Sequence, residues 1–226
     1  MRLRELGHPE RRKLIERQPL TEIVQRGRPD WWGDAVSHLS ADPLLGDIVE
    51  SFAGEGMSGR GDIFQTLVRS IVGQQISVKA ADTIHSRLEG LCDEISRESV
   101  GYLTIDELES CGLSRQKSLY IRGIATGDEP LLPEGYEEME DDSLIKHLVK
   151  LKGVGPWTAE MMLIFSLMRS DVLSLGDLGV VKGIQRLVPE ARSKDEMIAV
   201  AEAWRPYRSA ACWFLWRSLD PVPVEY

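Results

Sequence analysis

The stretch Leu151-Lys152-Gly153-Val154-Gly155-Pro156-Trp157-Thr158-Ala159-Glu160 constrains this chain more than any other. Apolar segments of helical period lie on both sides of it, and two glycines flank one apolar residue at its centre. The pattern predicts two helices joined by a tight hairpin. Such a hairpin lets the helices pack closely and aims backbone N–H groups outward, where they suit a phosphate. Asp177 lies far enough beyond Trp157 for one helix and a return loop, and it heads another helical segment. A phosphate clamp with one carboxylate predicts chemistry on DNA that needs little more than a single acid.

The rest of the chain reads as all-α, with no strong strand signal. Residues 1–30 are charged and broken by Pro9, Pro19 and Pro29. They predict a short helix and a wrapping arm, or partial disorder. Helical periodicity starts near Asp34 and again near Pro43, and the glycines between Gly54 and Gly61 mark a loop. Asp62, Ser77 and Ser114 are expected N-caps, and Thr104 with Glu107 forms a capping box. A connector rich in proline and acid runs from Gly127 to Asp142. Asp142 or Ser143 then caps the first arm of the hairpin, and residues 157–168 form the second. Segments 177–187, 193–204 and 206–219 complete the set. The chain leaves and re-enters a middle lobe, so one 1–226 unit is expected to hold two helical lobes around a cleft. Residues 61–127 form the middle lobe, 35–60 with 128–226 the terminal lobe, and 1–34 an arm.

Composition narrows the class. The net charge of −9 argues against a general nucleic-acid coat protein. The total hides patterning, because Glu134, Glu137, Glu138, Glu140, Asp141 and Asp142 crowd into one loop, expected to point away from DNA. A DNA face can still be locally basic. No apolar run approaches the roughly 20 residues that span a bilayer. The start, Met1-Arg-Leu-Arg-Glu, lacks a signal-peptide core, and a cytoplasmic location is the expectation. Cys92, Cys111 and Cys212 are widely spaced without C-x-x-C, so no zinc or iron–sulfur site is readable. They are expected to be buried free thiols.

Four stretches in order resemble the helix-hairpin-helix DNA glycosylases, specifically the 3-methyladenine DNA glycosylase II (AlkA-type) branch. They are Leu67-Val-Arg-Ser-Ile-Val-Gly-Gln-Gln-Ile-Ser-Val78, the hairpin, Gly176-Asp-Leu-Gly-Val-Val-Lys-Gly183 and Trp204-Arg-Pro-Tyr-Arg-Ser209. The resemblance runs from about Ala35 to Leu219. It implies a monofunctional enzyme of base excision repair that extrudes and releases alkylated purines, chiefly 3-methyladenine and 7-methylguanine. In this resemblance Asp177 is the catalytic carboxylate, a role compatible with N-capping its helix. A fixed anion stabilises positive charge developing on the sugar and can orient the attacking water. Trp157 stands where glycosylase/lyase relatives carry a lysine, and tryptophan cannot form a Schiff base.

The resemblance also assigns the pocket and the DNA contacts. Trp157, Met161, Trp216 and Trp213 are candidates for the base pocket, with Trp213 equally readable as part of an aromatic core stripe. An electron-rich Trp216 ring suits a cationic purine, and Met161 falls where close relatives can place a tyrosine. The turn Gln74-Gln75-Ile76 carries the wedge that fills the gap left by an extruded base. Gln74 reads more readily as a tie between lobes. Lys152, Gly153, Val154 and Gly155, with Lys182, form the backbone clamp. The Gly153 and Gly155 carbonyls are the expected holders of a structural Na+ or K+, without a catalytic metal or organic cofactor. Ser114-Arg-Gln-Lys117 meets phosphate or forms a solvated face, and His85 sits on an apolar face. The expected partner is double-stranded DNA bearing alkylated bases, bound by a monomer with no membrane contact, nucleoid-associated or nuclear. Two rival readings are an enzyme for oxidised or mismatched bases and a non-catalytic module that senses distorted duplex.

Overall fold

The computed structural model describes residues 23–219, apart from 93 and 129. In chain order the elements are β1 (Ile23–Gly27), α1 (Trp32–Ser40), α2 (Gly46–Ser51), β2 (Gly59–Asp62), α3 (Ile63–Gly73), α4 (Val78–Cys92), α5 (Arg97–Gly101) and α6 (Ile105–Ser110). Then follow α7 (Arg115–Thr126), α8 (Asp141–Leu148), α9 (Pro156–Phe165), α10 (Leu178–Leu187), α11 (Lys194–Ala201) and α12 (Arg208–Leu219). Single 3-10 turns lie at Tyr136–Glu138 and Glu202–Trp204.

The helical reading holds, with one addition. β1 and β2 pair antiparallel, Ile23 opposite Asp62 and Gly27 opposite Gly59. Neither segment alternates apolar with polar residues, so nothing in the sequence announced this ribbon. The expected arm of residues 1–34 is therefore shorter. Its first 22 residues lie outside the described residues, but residues 23–27 pair in the ribbon and Trp32 is buried in the core. Trp31 joins the body too, its indole Nε1 donating to Met168 O at 2.7 Å.

Local capping explains most helix starts. Asp62 accepts from the Gln65 N–H and Ser114 from that of Lys117, while Thr104–Glu107 and Ser193–Glu196 close reciprocal boxes. The start of α8 departs from expectation. Glu140 occupies its N-cap without a side-chain hydrogen bond, and Asp141 and Asp142 lie in the first turn. There their charge complements the positive helix terminus.

Helices α3 to α7 pack together as one group, and α1, α2, α10 and α11 gather around or beside α12. α9 packs against both α8 and α3, and its Phe165 stacks on Trp216 of α12, which bridges the groups. The Trp204–Ser209 segment stitches the loop after α9 to the head of α12. Arg205 and Arg208 both pair with Asp171, while Ser209 Oγ donates to Arg169 O and accepts from the Val172 N–H. That loop leads directly to Asp177.

Candidate active site

A cleft of about 1520 Å3 runs between the helix groups. Its walls are the α3–α4 turn, the first turns of α7, the hairpin from Gly153 to Thr158, the head of α10, and Trp216 and Leu219 of α12. Pockets for drug-sized ligands measure roughly 300–1000 Å3, so this opening suits part of a polymer better than a free small molecule.

Three helices converge on one carboxylate. Asp177 is the N-cap of α10, in extended backbone conformation. Its Oδ1 accepts from the Gly179 N–H at 2.8 Å and the Val180 N–H at 3.0 Å. The same oxygen accepts from Trp216 Nε1 of α12 at 2.8 Å. Oδ2 accepts from Trp157 Nε1 of α9 at 2.9 Å. Every partner is a donor, as an acceptor-only group requires. Three donors occupy Oδ1, whereas Oδ2 takes one and keeps a lone pair in the cleft wall.

The predicted pocket residues divide. Trp157 and Trp216 line the cleft with Asp177. Trp216 is turned differently than expected: its edge N–H holds Asp177 and its ring stacks on Phe165, centroids 5.6 Å apart. Met161 and Trp213 do not belong to the cleft. Met161 is 0% exposed on the core side of α9, and Trp213 is 3% exposed, edge-on to Trp32 at 5.3 Å. Both lie on helices buried nearly all round, where spacing alone does not separate a cleft face from a core face.

The α3–α4 turn is in place at the cleft mouth. Gln75 and Ile76 are exposed, and Gln75 holds a left-handed φ of 59°. Gln74 instead ties the lobes, its Nε2 donating to Gly153 O at 2.9 Å and Thr158 Oγ1 at 3.0 Å. In the hairpin, Gly153 has φ 90° and lies against the Tyr120 ring. Gly155 is the N-cap of α9 and offers no side-chain cap, leaving the helix start open to an anion. Val154 is buried, Lys152 is exposed on the hairpin outside the cleft, and Lys182 is exposed within it.

One residue escaped the sequence reading. Glu160, one turn after Trp157, accepts from Ser174 Oγ at 2.5 Å. Burial pushes its carboxyl above the usual range and the charge of Asp177 adds to this, against the Ser174 hydrogen bond and Lys194. Its place on the Trp157 face of α9 was the available signal. Lys117, read as part of a basic helix start, turns its Nζ inward to donate to Val72 O and Gln74 O, each at 2.8 Å.

The three cysteines are free and buried, and burial pushes the Cys212 thiol up to about 12, which removes it as a nucleophile at neutral pH. Among the described residues no group of His, Cys, Asp and Glu could hold a metal ion. No helix among them is long and apolar enough to cross a membrane. The Gly153 carbonyl already accepts from Gln74 and the Gly155 carbonyl from the Ala159 N–H. Each keeps one lone pair, a hard oxygen donor of the kind that suits Na+ or K+.

The fold and site define a helical protein with a glycine hairpin and a buttressed carboxylate in the walls of one large cleft. Residues 68–209 match the model of the HhH-GPD superfamily of base excision DNA repair proteins, and the chain belongs to that family. It is 32% identical over 163 residues to DNA-3-methyladenine glycosylase 1 of Schizosaccharomyces pombe, covering 69% of this chain and 72% of that protein. The structure of a 3-methyladenine DNA glycosylase of that yeast in complex with abasic DNA superposes with TM-score 0.70 at 30% identity, covering 82% of this chain and 96% of the other. A DNA-3-methyladenine glycosidase of Bacillus halodurans gives 0.67 at 35% identity, over 81% and 88%.

Proposed function

We propose that the chain is a monofunctional DNA glycosylase that excises alkylated purines, chiefly 3-methyladenine and 7-methylguanine, from double-stranded DNA. The observation that carries this reading is the Asp177 carboxylate, held in the cleft wall by four donors, three on Oδ1 and one on Oδ2. The names of its relatives supply the substrate class.

The target nucleotide leaves the stack and enters the cleft, while Gln75 or Ile76 occupies the gap. The bond between the base nitrogen and the sugar C1′ then breaks, and its electron pair stays with the base. An N-alkylated cationic purine departs neutral and needs no general acid. Positive charge develops on the sugar beside Asp177 Oδ2. A fixed anion stabilises that charge without reorganising. Water adds at C1′ and gives up its proton, for which the remaining Oδ2 lone pair is a suitable acceptor. The product is an abasic site. Trp157 occupies the hairpin position where a lyase needs an amine. A structural Na+ or K+ on the Gly153 and Gly155 carbonyls would add positive charge for a phosphate, and no step above depends on it.

Base release from methylated duplex DNA tests the reading. Asp177→Asn keeps the size but, even with its oxygen in the place of Oδ1, sets an NH2 group against the Trp157 N–H, and it removes the anion. Release should fall at least about a hundredfold, with binding to abasic-site DNA retained. Full excision by the folded variant would overturn the assignment.

A further inference from the structure

We infer that Lys117 is a positioning residue for base extrusion, holding the α3–α4 turn so that Gln75 stands ready at the cleft mouth. This rests on the proposed glycosylase function. A helix ends in carbonyls without intrahelical partners, and α3 ends at this turn. Lys117 Nζ bonds Val72 O and Gln74 O, closing the helix end from the neighbouring α7. Burial lowers the Lys117 ammonium from its usual range, so this contact is made at the expense of hydration.

The next residue is where that anchoring matters. Gln75 has φ 59°, a conformation that a non-glycine residue adopts at a cost and keeps only when its surroundings impose it. The carbonyl on its N-terminal side is fixed by Lys117, and the Gln74 side chain is fixed by Gly153 and Thr158. Across the neck of the turn, Arg69 of α3 pairs with Asp82 of α4 at 2.8 Å. Tyr120, one turn after Lys117 on α7, packs on hairpin Gly153. One helix therefore braces both the DNA clamp and the inserting turn. A clamp on the backbone and a wedge in the stack must keep a fixed spacing for extrusion, and α7 supplies it.

The consequence is specific to duplex substrate. Single-stranded DNA has no partner strand to separate from and no gap to fill, so a loosened turn should matter little there. Single-turnover release of 7-methylguanine from duplex and from single-stranded DNA is compared for the wild type, Lys117→Met and Lys117→Arg. A 2-aminopurine beside the lesion reports extrusion by its fluorescence, and thermal melting reports folding. Lys117→Met should lose at least tenfold on duplex, less than threefold on single strands, and most of the fluorescence rise. Lys117→Arg, which keeps charge and donors, should recover part of the duplex rate.

Equal losses on both substrates, or a duplex rate within twofold of wild type, overturn the role of Lys117. If Lys117→Met does not fold, Lys117→Gln, with a shorter donor, carries the same comparison. No release by the wild type on either substrate would refute the glycosylase reading itself, which keeps the two failures distinct.

Discussion

The Trp216 indole donates to Asp177 Oδ1 at 2.8 Å, the third donor on an oxygen already bound by the head of α10. Its ring face lies against Phe165. Under the proposed function this geometry favours an action of Trp216 on the sugar through the carboxylate over direct stacking on the base. Trp216→Phe keeps an aromatic body and deletes the donor. A hydrogen bond to a charged group contributes about 1.5–3 kcal/mol, so base release should slow by about tenfold or more. The preference for 7-methylguanine over hypoxanthine should survive, since the sugar is common to both. A selective collapse of that preference at an unchanged 7-methylguanine rate would restore direct stacking on the base.

Glu160 links the same site to pH. Its carboxyl is raised above 4.5 in the folded protein by burial first and by Asp177 second, while Ser174 and Lys194 oppose the shift. A carboxyl raised on folding is neutral in both states below pH 4.5 and contributes no penalty there. As pH climbs from 4.5 through the folded value, the unfolded chain ionises first and stability is lost. Glu160→Gln should therefore melt close to wild type near pH 4 and progressively higher than wild type above that window. Its amide oxygen can still accept from Ser174. A melting difference that stays constant from pH 4 to 8 would show that the carboxyl is not penalised.

How much of this was legible depends on distance along the chain. Asp62, Thr104 with Glu107, Ser114 and Asp177 were readable as caps because a cap bonds two or three residues ahead. The hairpin and the Asp177 helix were readable for the same reason. Gln74 was readable as a tie between lobes, but its partner Gly153, 79 residues away, was not, and neither were the carbonyls that hold Lys117, 45 and 43 residues away. Met161 was misplaced because α9 is buried from Thr158 to Phe165 except at Glu160, so the step of one turn from Trp157 could point to cleft or core. Trp213 stayed open between pocket and core stripe for the same reason, because α12 is buried from Ser209 to Arg217, and the core stripe is where it lies. The convergence of two indoles on Asp177 joins α9, α10 and α12, and only the packing of all three reveals it.

Product strands should remain unbroken until alkali or an abasic-site endonuclease is added. A lyase needs an unprotonated amine at the sugar carbon, and Trp157 spends its only polar atom on Asp177. Of the lysines lining the cleft, Lys117 is engaged by two carbonyls, and Lys182 lies exposed within α10. Borohydride added during turnover should trap no covalent protein–DNA complex. Efficient trapping that disappears in Lys182→Ala would show that this amine reaches C1′.

The two hairpin glycines should fail in opposite ways. At Gly153 a Cβ would stand 2.8 Å from Tyr120 Cβ and closer still to its ring, on a backbone with φ 90°. Strain and overpacking each contribute about 1–3 kcal/mol, so Gly153→Ala should lower Tm by roughly 4–24 °C in a chain of this size. Gly155 has no heavy atom within 4 Å of an added Cβ and an ordinary φ of −93°. Gly155→Asp should therefore fold and melt nearly as the wild type does. It would nonetheless put a carboxylate at the start of α9, where a phosphate is expected, and block close approach. The loss of one charge-assisted contact is enough to weaken DNA binding about tenfold or more. The weakening should be the same for abasic, alkylated and undamaged duplex, because a backbone clamp reads no base. Binding measured across a salt series would also show a shallower slope, since fewer counterions are released. If Gly155→Asp lost lesion preference while holding undamaged duplex at wild-type strength, the hairpin would be reading the lesion and not the backbone.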